Sequence, residues 1–287
     1  MNQLDLTSTQ IDARPTCTAI VCAYNEEKTI GGVIEALRQT PFIDEIIAVD
    51  DGSADATPDI IRQSAHTGRV ISRCFEQNHG KAYAMAEAAE LARGDSLLYV
   101  DADLHNWNAA FAAQILSALW AHDAEMVIGY PVRSDLANDP DRYTPFLHWL
   151  SGQRAVWRAD LLPLLDVLRT SRFGVETLIN LHYRQRRQRI LCLPLQGLFH
   201  PVKGDKERPL KALWAYAREG YEIAQAVARH YPVALAAYGV NPGYVEKVLR
   251  FDARPPAEQL VQWTRQTLFK TGRLIDRLPL DDTQALA

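Results

Sequence analysis

Leu97-Leu98-Tyr99-Val100-Asp101-Ala102-Asp103-Leu104 is an apolar run that ends in two carboxylates separated by one small residue. The pattern predicts a buried strand with an acidic tip. Along a strand, side chains at i and i+2 share a face, so Asp101 and Asp103 point the same way and Ala102 leaves room between them. Two anions held that close require a cation. A hard divalent ion such as Mg²⁺ or Mn²⁺ is held by one or two carboxylates and completed by substrate phosphates. A strand that runs into a solvated acidic turn carries the same short motif, so these residues alone leave both readings open.

Outward from this strand, the chain alternates. Residues 17–23 (CTAIVCA) are a β-forming run stopped by Tyr24-Asn25-Glu26-Glu27, and Ile30, Val33, Ile34 and Leu37 then recur at helical spacing. Residues 45–49 (EIIAV) form a second strand, closed by Asp50-Asp51-Gly52-Ser53 before a helix from about Thr57. Residues 69–74 make a third strand, and residues 80–91 an Ala-rich third helix that leads into the opening strand. This alternation predicts an α/β fold with a parallel sheet covered on both faces. Ligands bind such sheets at the carboxyl ends of the strands. Three of those ends carry Asn25-Glu26, Asp50-Asp51 and Asp101-Asp103.

Composition narrows the function. The 287 residues are 47% hydrophobic and 23% charged, as in an ordinary globular protein, and the net charge of −4 gives no reason to expect nucleic acid. Cys17, Cys22, Cys74 and Cys192 are scattered without C-x-x-C or zinc spacing, which fits a reducing compartment. The polar start and the lack of a long uncharged apolar run lead to the expectation of a cytoplasmic protein, at most peripheral at the inner face of a membrane. No G-x-G-x-x-G follows the first strand, and Gly80-Lys81 lacks the earlier glycine of a P-loop. G-x-S-x-G and H-E-x-x-H are missing too, which removes the commonest hydrolase readings.

Four segments taken in order carry a resemblance. Ile20-Val21-Cys22-Ala23-Tyr24-Asn25-Glu26-Glu27, Val49-Asp50-Asp51-Gly52-Ser53-Ala54-Asp55-Ala56-Thr57, Asn78-His79-Gly80-Lys81-Ala82 and Asp101-Ala102-Asp103-Leu104 together resemble a family 2 glycosyltransferase of GT-A fold. Cys22 departs from the family, where a proline is common. The resemblance implies a Rossmann-like, mostly parallel central sheet with helices on both faces. It also implies that Ala23, Tyr24, Asn25 and Glu27 lie along the nucleoside of a UDP- or GDP-sugar, with Asp50 or Asp51 accepting from a base N–H. An unpaired donor there would cost about 1–3 kcal/mol. Asp-Asp-Gly-Ser is also good turn chemistry in any protein. Lys81, opening the third helix, would meet the diphosphate or the base, helped by the helix N-terminus.

By the same resemblance, Asp103 binds the metal, Mg²⁺ or Mn²⁺, and Asp101 contacts the donor, or the ion through water. His105 and His200 are further metal candidates, His200 the stronger. Ser151-Gly152-Gln153-Arg154-Ala155 is similar to a Ser-Gly-x-Arg-Ala segment of relatives that act on polyprenyl phosphates, so Arg154 would hold an acceptor phosphate with its planar fork. Pairing with Asp160 is the structural alternative. Glu176, in the first turn of a helix opened by Phe173-Gly174-Val175, would be the acceptor-side acid, positioning the acceptor or removing its proton. A carboxylate in a first helical turn is favourable in any case.

The expected organisation is a nucleotide-sugar-binding half over residues 1–128, an acceptor half of the same domain over 129–208, and a helical C-terminal extension over 209–287. Residues 129–150 read as an irregular connection, and 210–230 and 257–278 as amphipathic helices suited to packing, to homodimerisation or to a membrane surface. The expected reaction is metal-dependent hexose transfer to a phosphate-bearing acceptor, a polyprenyl phosphate first and a small phosphorylated acid such as phosphoglycerate second. The rival classes are a non-catalytic sugar-nucleotide-binding protein and a nucleotidyltransferase, the latter disfavoured because no Gly-rich basic loop follows the first strand.

Overall fold

The computed structural model describes residues 14–66, 68–132, 147–171 and 174–199. Phe173, His200 and the expected C-terminal helices lie outside the described residues. The apolar runs become strands β1 (Cys17–Ala23), β2 (Glu45–Asp50), β3 (Val70–Cys74) and β4 (Ser96–Asp101). Between them lie helices α1 (Ile30–Arg38), α2 (Thr57–Ala65) and α3 (Lys81–Leu91). Helix α4 (Ala109–Trp120) follows β4 and leads to β5 (Met126–Val132). A 3₁₀ turn (Leu147–Leu150), β6 (Arg154–Trp157), the short helices α5 (Arg158–Leu161) and α6 (Leu165–Arg169), α7 (Val175–Gln185) and β7 (Ile190–Gln196) complete the described fold.

The seven strands form one sheet in the order β3-β2-β1-β4-β6-β5-β7. All neighbours are parallel except where β6 runs antiparallel between β4 and β5. From β1 the chain winds outward to β3 and then returns to place β4 on the other side of β1. The gap between β1 and β4 is therefore the point at which the winding reverses, where open α/β sheets bind ligands. Cys22 sits opposite Asp101 across that gap.

Both faces of the sheet are covered. On one, Ile30, Val33, Ile34 and Leu37 of α1 and Phe111, Ile115 and Leu119 of α4 pack on Ala19, Val21, Ile46 and Leu98. On the other, the alanines of α3 meet Ile20, Ile47, Leu97 and Tyr99, together with Leu165 and Leu168 of α6 and Leu178 and Ile179 of α7. Alanines bring α3 close to the sheet, and Arg169 ties it to α6 by bonding Glu87 at 2.8 Å and also pairing with Glu90.

Two features depart from the sequence reading. Gly129–Val132 continue β5 and do not begin an irregular connection, so one strand crosses the expected boundary after residue 128. Residues 154–157 form a central strand, where the sequence pattern indicated none. Four residues are too few for a periodicity to register, and their first is an arginine. Because β6 is antiparallel, its N-terminal end lies at the carboxyl edge of the parallel strands, pairing Arg154 with Tyr99. That topology carries Ser151, Gly152, Gln153 and Arg154 to the tip of β4.

Candidate active site

Two loops, after β1 and after β2, form one side of the carboxyl edge. Asn25 adopts the left-handed backbone region (φ 56°), which asparagine tolerates, and its Oδ1 accepts from Ala54 N at 2.9 Å. Glu27 Oε2 accepts from Ala56 N at 3.0 Å, so both residues brace the loop after β2. Ala23 is buried at the end of β1, whereas Tyr24 is half-exposed beside it. Asp50 and Asp51 are both buried. Ser53 N points at both Asp50 oxygens at 3.3 Å. Asp51 accepts from His79 N and Gly80 N at 2.8 Å and from Asn78 Nδ2 at 3.0 Å. Burial raises the Asp51 carboxyl above its ordinary range despite these donors. The Asn78–Gly80 turn is thus built on Asp51. Gly80 permits it with φ 99°, and α3 starts at the next residue, Lys81. The Phe75, His79 and Tyr83 rings form a wall beside these aspartates, with His79 stacked on Tyr83 at 4.6 Å.

Lys81 lies at the centre of the edge. Its Nζ donates to Asp101 Oδ1 and to Glu176 Oε1, each at 2.8 Å. The lysine side chain is 40% exposed and each carboxylate only 14%. Burial opposes a charged lysine here, but the Asp101 and Glu176 carboxylates outweigh it and raise the Lys81 ammonium above its ordinary value. Burial likewise opposes ionisation of Glu176, yet Lys81 and then Arg154 hold its carboxyl below the usual range. In this structure the Lys81 ammonium joins the carboxylates of Asp101 and Glu176. The other Asp101 oxygen accepts from Gln153 Nε2 at 2.6 Å. A small cavity opens between Cys22, Lys81, Asp101 and Gly152. The Cys22 thiol at its wall is pushed up to about 12 by burial, which makes it unreactive. All four cysteines are free thiols.

Arg154 is fully buried. Its fork donates to Ser151 O at 2.5 Å, Asn180 Oδ1 at 3.1 Å and Glu176 O at 3.3 Å. Among the described residues it does not pair with Asp160, and its bonds place it beneath α7. Asp103 is half-buried in the turn after β4, and His105 is exposed with its ring tilted against Phe199 at 5.6 Å. Asn106 clasps the end of the described chain, donating to Gly197 O at 2.7 Å and accepting from Phe199 N at 2.8 Å. Residues 197–199 are thereby pinned to the turn that follows Asp103. His200 lies outside the described residues.

Among the described residues, no three of His, Cys, Asp and Glu converge in a closed metal cage. Asp103 offers hard oxygen ligands at an open strand tip, the donor type that Mg²⁺ and Mn²⁺ accept when phosphates complete the shell. The residues present fit such an ion. No described helix is long and apolar enough to cross a membrane.

The sequence reading assigned no role to Gly152, Gln153 or Asn180, quoting the first two only within the Ser-Gly-x-Arg-Ala segment. Gln153 stands at the variable position of the Ser-Gly-x-Arg-Ala segment, so no pattern marked it.

Comparison with known proteins places this geometry. Residues 18–175 match the model of glycosyl transferase family 2. A glucosyl-3-phosphoglycerate synthase of Mycolicibacterium paratuberculosis is 34% identical over 117 residues, 38% of this chain and 34% of its own. An undecaprenyl-phosphate 4-deoxy-4-formamido-L-arabinose transferase of Pectobacterium carotovorum is 32% identical over 102 residues, 33% of this chain and 31% of its own. The chain aligns with only 26% to 39% of the length of such curated relatives. Among solved structures, glucosyl-3-phosphoglycerate synthase from Mycobacterium tuberculosis, in complex with Mn²⁺, UDP-glucose and phosphoglyceric acid, superposes with a TM-score of 0.54. It is 25% identical, and the match covers 75% of this chain and 79% of that one. The mostly parallel sheet is that of the GT-A glycosyltransferases, and the chain belongs to glycosyl transferase family 2.

Proposed function

We propose that this chain transfers a hexose from a UDP- or GDP-sugar to a phosphate-bearing acceptor, with a small phosphorylated acid such as phosphoglycerate as that acceptor. The observation that carries the reading is the Lys81 ammonium bonded to both Asp101 and Glu176 where the sheet's winding reverses. One carboxylate stands on the donor strand and the other on the acceptor-side helix. In this reading Ala23, Tyr24, Asn25, Glu27, Asp50 and Asp51 line the nucleoside, and Asp101 faces the donor sugar. Asp103, with His200 and His105 as further candidates, would hold the divalent ion, which when bound supplies positive charge against the leaving diphosphate. Glu176, kept ionised by Lys81, accepts the proton of an attacking hydroxyl or positions an acceptor that is already ionised. Arg154 acts by holding the main chain of Glu176.

For the acceptor, the likeness to the phosphoglycerate enzyme extends over 75% of this chain. This moves phosphoglycerate ahead of the polyprenyl phosphate that the sequence reading put first. A polyprenyl phosphate is the second reading, favoured by the undecaprenyl-phosphate transferase, whose match covers 33% of this chain. The test is incubation with UDP- and GDP-hexoses, Mn²⁺ and either acceptor, with products read by mass. Glycosylated phosphoglycerate is expected. Exclusive use of the lipid phosphate would select the second reading, and nucleotide binding without a sugar product from either acceptor would leave a donor-binding protein.

A further inference from the structure

Gln153 is 1% exposed, and both ends of its amide are engaged. Nε2 donates to Asp101 Oδ2 at 2.6 Å, while Oε1 lies 2.6 Å from the Ser151 hydroxyl. A carboxylate only accepts, so the amide must turn its nitrogen toward Asp101. Ser151 Oγ also lies 2.6 Å from Gly129 O; the hydroxyl has one proton for these two acceptor oxygens, so it donates to one at a time and stands between β5 and the amide. Gly129 N in turn donates to Gln153 O at 2.9 Å, fixing the backbone of Gln153 to β5. Gly152, between the two side chains, lies against the Asp101 carboxylate so closely that a Cβ there would stand 2.2 and 2.3 Å from its oxygens. Lys81 takes the remaining side. Lys81, Gln153 and the close approach of Gly152 thus hold the carboxylate, and the amide of Gln153 is a neutral donor to it.

The next residue, Arg154, holds the main-chain oxygen of Glu176 at 3.3 Å. Four consecutive residues therefore reach from the donor-facing carboxylate to the helix that carries the acceptor-side acid.

We propose that Gln153 is a positioning residue for the transfer reaction, setting the orientation of the Asp101 carboxylate toward the donor sugar through an amide that Ser151 aims. The proposal rests on the functional reading above. Its test compares the wild type with Gln153→Met, which keeps length and volume but cannot donate, and with Ser151→Ala, which loses only the aiming hydroxyl. Turnover, the acceptor KM, affinity for the nucleoside diphosphate by calorimetry and the unfolding midpoint are measured for each. Gln153→Met should lower turnover at least tenfold, while acceptor KM and diphosphate affinity stay within about twofold, since the free diphosphate carries no sugar to face Asp101. Ser151→Ala should show a smaller fall with the same split, and it carries the test alone if Gln153→Met does not fold. Turnover within twofold of the wild type in the variants overturns the proposal. So does a parallel loss of turnover, affinity and unfolding midpoint, which is the mark of a merely structural residue. No wild-type turnover with any UDP- or GDP-hexose is a different failure, that of the functional reading itself.

Discussion

Replacing Gly152 by alanine tests the packing at the tip of β4 directly. The backbone at Gly152 is outside the left-handed region, so the cost of a methyl group is steric alone. The new carbon would lie 2.2, 2.3 and 2.5 Å from Oδ1, Oδ2 and Cγ of Asp101, distances that real Cβ atoms do not show. The carboxylate cannot retreat and keep its partners, because Lys81 holds one oxygen at 2.8 Å and Gln153 the other at 2.6 Å. Hydrogen bonds to charged groups contribute about 1.5–3 kcal/mol each, and overpacking costs about 1–3 kcal/mol. Lys81 is 40% exposed, so its bond counts at the low end. A loss of about 3 kcal/mol follows, which lowers the melting temperature of a domain this size by roughly 6–12 °C. Displacing a reacting group by about 1 Å costs on the order of 100-fold in turnover. Urea unfolding and steady-state turnover measure the two effects. Gly32→Ala is the control: it lies in α1 with nothing within 4 Å of the new methyl, and it should stabilise by roughly 0.5–1 kcal/mol. Wild-type stability and turnover in Gly152→Ala would refute the packing argument.

Removing the lysine makes a second prediction: Lys81→Met leaves Asp101 and Glu176 facing each other without their shared cation. Turnover should fall at least about 100-fold, given that single preorganised charged donors contribute on that order, and steady-state kinetics reads the change. Asp51→Ala strips the acceptor from the main-chain N–H groups of His79 and Gly80. It should lower stability by roughly 2–6 kcal/mol, at about 1–3 kcal/mol for each of the two unsatisfied groups; an unchanged urea midpoint would show that the turn stands without it. For pH, Glu176 is held below its ordinary value of 4.5 in the folded chain. Its contribution to stability is present above that value and is lost as pH falls through the folded pKa. Urea midpoints taken below pH 4.5 should fall less steeply in Glu176→Gln than in the wild type, and equal slopes would deny the charge coupling.

Much of this was legible in the chain because the two signals involved are local. Alternating apolar runs and polar turns identify β1 to β4 with their helices, and acidic strand ends become a site as soon as the strands are parallel. Glu176 was singled out by resemblance, through its Phe-Gly-Val-Glu context, and the structure brings it to the same ammonium as Asp101. What escaped the sequence depends on contacts across distance. Gln153 and Asp101 are 52 positions apart, and neither the glutamine nor Gly152 belongs to any periodicity. Arg154 was read, from the resemblance of its Ser-Gly-x-Arg-Ala segment, as a phosphate ligand, with a pair to Asp160 as the alternative. The antiparallel entry of β6 turns its fork instead toward the carbonyls of Ser151 and Glu176. Lys81 read as a contact to the diphosphate or the base, and no local pattern shows that α7 delivers a carboxylate to it.

The most direct measurement is transfer itself: UDP- and GDP-hexoses and phosphoglycerate with Mn²⁺, the product read by mass, repeated in EDTA and with Asp103→Ala. The account predicts a hexosylated phosphoglycerate that forms only with the metal and is lost in the variant. Undiminished product in EDTA, or an active Asp103→Ala protein, would contradict it.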